Sequence, residues 1–208
     1  MAAEMPNEPA PSAKGRVPMG RPELGEREAA AVARVLRSGW LVQGPEVRAF
    51  EQELARAVGA PHAVAVANGT IALELTLRAL RVGHGDDVLT VSHSFIATAN
   101  AVRAVGARPV FVDVDERTLG MDPARVAASF TPQTRAVLCV HQLGIPCDAP
   151  ALARLAAQHG VPLVEDAACA LGSAWLREDA PHPVGAPFGS AACFSFHPRK
   201  LITTGEGA

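Results

Sequence analysis

No stretch of this 208-residue chain is apolar for long enough to cross a membrane as a helix; its longest apolar runs are strand-sized. Positive charge is not in excess either. Nineteen basic residues meet 21 acidic ones, for a net charge of −2. That balance provides no pull toward nucleic acid or an anionic membrane. The opening MAAEMPNEPAPSAKGR contains no apolar core of a secretory signal. Without that signal the sequon Asn68-Gly69-Thr70 carries no weight. Cysteine is sparse. Cys139, Cys147, Cys169 and Cys193 form no CxxC pair, which reads as reduced thiols in a cytoplasmic protein. Neither GxGxxG nor GxxxxGK[ST] occurs, so dinucleotide and P-loop readings lose their main support. His93, His141 and His197 follow no metal-site spacing, and no metal is expected.

What is present is ample apolar content, 49%, enough for a sizeable core. Pro, Ala and polar residues over 1–16 read as a disordered leader. Residues 17–60 carry two helical patterns. Leu24, Val32, Val35 and Leu36 mark the first, and Gly39 ends it. Val47, Phe50, Leu54 and Val58 mark the second, between Pro45 and Gly59. Over 61–208, strand-like runs at 62–67, 88–91, 109–112, 136–140, 161–165 and 191–196 alternate with helical segments at 69–81, 94–105, 122–130 and 149–159. The stretch LELTLRAL (73–80) alternates like a strand, but its place between two strands favours a helix. The pattern predicts an α/β fold, a mostly parallel sheet flanked by helices.

Ligands of such sheets bind beyond the carboxyl ends of the strands. The residues expected on that rim are Asn68-Gly69-Thr70, His93 to Phe95, Asp113 and Asp115, His141-Gln142, and Asp166 to Cys169. Gly69 and Thr70 open a helix and suit a phosphate, or form an ordinary cap. Asp166 is a carboxylate awaiting a cationic or N–H partner, or a capping residue. Phe95 is a stacking ring or a core residue. Trp40 faces a substrate or packs in the core. Of the cationic side chains only Lys14 and Lys200 are lysine. A primary amine can attack a carbonyl and form an imine, whereas a guanidinium cannot. Lys200 is therefore an imine-forming amine or a surface lysine. A phosphate cradle, a carboxylate, a ring and such an amine are together what pyridoxal 5′-phosphate requires.

The stretches SGWLVQGPEVRAFEQELA, NGTIALELTLRAL, SFIATANAV, GARPVFVDVD, HQLGIPCD, EDAACALGS and SFHPRKLITTGEG, in this order, resemble the DegT/DnrJ/EryC1/StrS family of pyridoxal-phosphate-dependent sugar aminotransferases. The resemblance covers nearly everything after about residue 17. It implies the large domain of fold type I, incomplete over 61–208 and cut before the small C-terminal domain. It implies that Lys200 is the catalytic amine bound to the cofactor, that Asp166 partners the pyridine nitrogen, and that Phe95 stacks on the ring. Gly69, Thr70 and Ser195 match phosphate contacts. Cys169 takes a cofactor-side place often held by Gln or His. The implied reaction moves an amino group from glutamate or glutamine to a keto sugar, often nucleotide-linked, in a homodimer. The alternative is a non-catalytic or regulatory protein of the same fold. GEGA stands where the family usually reads GEGG.

Overall fold

The computed structural model describes residues 20–176, 180–186 and 188–208. The leader expected over 1–16 lies outside the described residues. Two helices come first, α1 (Glu26–Ser38) and α2 (Pro45–Val58), each closed by a left-handed glycine, Gly39 and Gly59. Then follow α3 (Gly69–Ala79), β1 (Asp87–Val91), α4 (Ala97–Ala104), β2 (Arg108–Val112), α5 (Pro123–Ala127), β3 (Thr134–Val140), α6 (Ala149–Gln158) and β4 (Leu163–Asp166). A small antiparallel pair, β5 (Ala174–Trp175) and β6 (His182–Pro183), precedes β7 (Ala191–Cys193).

Five strands form one parallel sheet in the order β2-β1-β3-β4-β7. Successive residues of a strand face opposite sides. Val88, Ala136 and Leu138 pack with Leu73, Leu77, Ala101 and Val102, under α3 and α4. Leu89, Val91, Val137 and Cys139 pack with Val126, Ala149 and Leu152, under α5 and α6. Both faces are covered, which is why β3 is apolar throughout Ala136–Val140 and why the buried Thr90 of β1 needs a partner, its hydroxyl donating to Leu138 O at 2.9 Å. Burying one such leucine fully contributes about 2 kcal/mol. A third cluster joins Val58, Phe194, Phe196 and Val184 to Phe50 and Leu54, and so seats α2 beside β7. α1 buries no residue and meets α2 through an Arg34–Glu46 ion pair of 2.6 Å.

LELTLRAL is helical: Leu73 and Leu77 share the buried face of α3. The strand expected over 62–67 is absent. Val66 exchanges two backbone hydrogen bonds with Ala208 (2.9 and 3.1 Å), and Val64 is exposed. A single paired residue does not extend into a ladder, so the segment stays irregular. The run expected over 191–196 is a strand only to Cys193. Beyond it the chain leaves the sheet, with Phe196 N–H bonded to Gly207 O at 2.9 Å.

The order in which strands are added reverses between β1 and β3, because the chain steps outward to β2 and then crosses back to the other side of β1. A crevice at the carboxyl ends of the strands is expected at such a switch point.

Candidate active site

The strand β4 ends in two acids, Glu165 and Asp166, beside Cys139 and Val140 of β3. Asp166 lines a cleft of ≈ 780 Å³ at the carboxyl ends of the strands. Its Oδ2 accepts the Thr98 hydroxyl at 2.7 Å, and its Oδ1 accepts Ala168 N–H at 3.2 Å. Since Thr98 spends its proton on Asp166, the Ser94 hydroxyl 2.6 Å away donates to Thr98. Burial pushes the Asp166 carboxyl above the usual range, against the bonds from Thr98 and Ala168 and the Lys200 charge. A cationic N–H donor arriving from the cleft would relieve that cost.

Helix α3 presents its first turn to the same cleft. The Asn68 side chain caps it, accepting Ile71 N–H at 3.1 Å. A side chain at Gly69 would put its Cβ 3.1 Å from Ser195 Cβ and 3.2 Å from Phe194 O. Glycine therefore lets the helix start lie against the chain leaving β7. That contact gathers Gly69, Thr70 and Ser195 in one wall, where the helix start offers N–H groups and positive potential.

Phe95 also lines the cleft and is 74% exposed, so its ring is not a core ring. Lys200 lies opposite Cys169. Its Nζ donates to Cys169 Sγ at 3.1 Å, and its backbone N–H bonds His197 O at 2.8 Å. Gly69, Thr70, Phe95, Asp166, Cys169, Ser195 and Lys200 thus share one cavity. Asp113, Asp115 and His93 do not line it. Asp115 instead accepts the Arg117 and Thr118 N–H groups in its own turn. Trp40 lies exposed on its turn and donates Nε1–H to Gln43 O at 2.9 Å; it neither faces the cleft nor enters the core.

Glu165 was not read from the sequence as a site residue, and its surroundings are distinctive. Its Oε2 accepts His141 Nε2–H at 3.0 Å, while Oε1 accepts Phe188 and Gly189 N–H, each at 3.2 Å. His141 Nδ1 accepts Cys147 N–H at 3.2 Å, which leaves the ring proton on Nε2. Trp175 donates Nε1–H to Cys147 O at 2.8 Å and meets the His141 ring edge-on, centroids 5.4 Å apart. The fold also brings donor atoms of Cys139, His141 and Cys147 within 4.8 Å of one another, although both His141 nitrogens already hold hydrogen bonds. Thr98 was missed as well. The available signals were a glutamate inside an apolar strand, which demands partners, and a hydroxyl four residues after Ser94 on a helical segment.

A sequence profile of the DegT/DnrJ/EryC1/StrS aminotransferase family matches residues 22–208. Among solved structures, DesV of S. venezuelae in complex with a ketimine intermediate is 46% identical, with a TM-score of 0.82 over 87% of this chain and 48% of that one. DesI in the presence of its TDP-sugar product is 41% identical, with a TM-score of 0.81 over 91% and 47% of the two chains. The PLP-form of Spr1654 from Streptococcus pneumoniae is 32% identical, with a TM-score of 0.86 over 92% and 51%. The chain spans about half the length of these structures.

Proposed function

The chain belongs to the DegT/DnrJ/EryC1/StrS aminotransferase family, and on that premise we propose that it supplies the pyridoxal 5′-phosphate site of a sugar aminotransferase. The reaction moves an amino group from glutamate or glutamine to a keto sugar, carried on a nucleotide, within a cytoplasmic homodimer. One observation carries the reading. An amine, a buried carboxylate, an uncovered ring and a helix start all open onto one cleft.

The residues fit the cofactor. Asp166 is a buried acceptor held by Thr98 and Ala168, placed to take a pyridinium N–H. Gly69, Thr70 and Ser195 offer N–H and hydroxyl donors to a phosphate. Phe95 would cover one face of the ring and keep water from it. When bound, the cofactor contributes an aldehyde that condenses with amines and a ring that accepts the electron pair left when an adjacent C–H is deprotonated. Lys200 Nζ would hold it covalently, and when free of it the amine would act as the base that takes a proton and the acid that returns it. Cys169, 3.1 Å from Nζ, would hold the freed amine near that position.

Titration with pyridoxal phosphate is expected to give an absorbance band that survives dialysis. After borohydride reduction, peptide mapping should find the pyridoxyl group on Lys200, and Lys200→Ala should lose both signals. A stable label on Lys14, or none at all, would overturn the proposal.

A further inference from the structure

Cys169 differs from the other three cysteines. Cys139, Cys147 and Cys193 are buried, while Cys169 is exposed on the cleft wall with Lys200 Nζ 3.1 Å from its sulfur. Both partners are held from behind. The turn carrying Cys169 is closed by Ala170 N–H on Ala167 O at 2.9 Å and Ser173 N–H on Ala170 O at 3.0 Å. The Ser173 hydroxyl staples that turn to Gly144 O at 2.7 Å. A side chain at Gly144 would come within 3.0 Å of the Cys169 carbonyl, so the two turns are in close contact. Lys200 is tied through its own N–H to His197 O at 2.8 Å. The contact between thiol and amine therefore joins two anchored segments, and only the lysine stem needs to bend to shorten it.

The geometry points to a reversible covalent link between Cys169 and Lys200, formed when hydrogen peroxide reaches the cleft. In the first step the thiol takes one peroxide oxygen. An S–O bond forms, the O–O bond breaks and water leaves; sulfur loses two electrons and peroxide gains them. In the second step the neutral Lys200 amine attacks the sulfenic sulfur. The S–N bond forms, the S–O bond breaks, and hydroxide leaves with the amine proton as water, with no further electron transfer. The product is a sulfenamide, of the kind sulfenic acids form with backbone nitrogen. A dithiol reductant reverses it, returning thiol and amine and becoming a disulfide itself. The link occupies the amine assigned above to the cofactor. Its regulatory meaning, a site shut by oxidant and reopened by thiol, rests on that assignment; the link itself does not.

The test treats the cofactor-free chain with hydrogen peroxide and follows intact mass and peptide maps. The wild type is expected to lose two hydrogen masses and to yield a linked peptide pair joining residues 169 and 200, both reversed by dithiothreitol. Cys169→Ser should show no link. Lys200→Arg should stop at a sulfenic acid that dimedone traps. Wild-type Cys169 passing to sulfinic or sulfonic acid, with the Lys200 peptide unlinked, overturns the inference. A repeat in pyridoxal phosphate separates the two proposals. Suppression of the link supports cofactor binding at Lys200; an undiminished link counts against that assignment while leaving the cross-link in place.

Discussion

Glu165 and Asp166 are neighbours on one strand, both carboxylates and both buried, yet their surroundings are opposite. Glu165 is closed in. His141 and two backbone N–H groups share its oxygens, with Trp175 set edge-on against the histidine. Asp166 has two protein donors and an open side facing the cleft. A saturated buried acid fastens the fold together. A buried acid with access to a cavity is held ready for a ligand. Chemical type and burial alone do not distinguish the two; the count of partners and the route to solvent do.

The comparison can be broken at three points. The largest effect is expected at Glu165. Glu165→Ala removes the carboxylate that accepts from His141 Nε2–H and from two backbone N–H groups, and should cost about 3 kcal/mol of stability in urea unfolding. Glu165→Gln should cost clearly less, since it keeps an acceptor. A loss at Glu165→Ala no bigger than at an exposed residue would remove the structural role.

Asp166→Asn should do the reverse, weakening pyridoxal phosphate binding by about 100-fold while leaving the free chain at least as stable. The pH dependence has a definite sign. Burial raises the folded-state pKa of Asp166. Wild-type stability from this group is therefore present at low pH and declines as pH rises through that pKa. The asparagine variant lacks this decline, so variant-minus-wild-type stability should grow from the ordinary carboxylate range upward. A flat difference curve would mean that Asp166 is not held at a cost.

The smallest effect is expected at Thr98. Removing its hydroxyl with Thr98→Val should weaken cofactor binding about fivefold, equivalent to about 1 kcal/mol, and should lower stability by about as much, since Asp166 Oδ2 loses its donor and the Ser94 hydroxyl its acceptor. A loss as large as that of Asp166→Asn would place Thr98 in direct contact with the cofactor.

The strand residues made the parallel sheet legible, because Ala136 to Val140, and Val88 to Val91 apart from Thr90, are apolar on both faces and only a doubly covered sheet requires that. The ambiguity at 73–80 was resolved by Leu73 and Leu77, which share one buried helix face. The segment 62–67 was misread because apolar composition cannot say whether a partner strand runs alongside; here the pairing is confined to Val66 and Ala208. The candidate residues could be named from the sequence, but their convergence could not. Lys200 and Cys169 meet across 31 positions, and Thr98 reaches Asp166 across 68. Glu165 was overlooked for a related reason. Its partners come from two distant segments, His141 after β3 and Phe188-Gly189 before β7, so nothing local announces that its charge is accommodated.

The Trp175 contact has an optical consequence. The chain has no tyrosine and only two tryptophans, so nearly all its near-ultraviolet emission comes from Trp40 and Trp175. Trp40 stands in solvent, whereas Trp175 is partly buried against the histidine that lines the cleft. The two indoles should differ in colour and in access to a dissolved quencher. A ligand entering the cleft would disturb the bluer, shielded emitter and leave the other as an internal reference, so the wild-type protein carries its own two-channel fluorescent gauge of that wall.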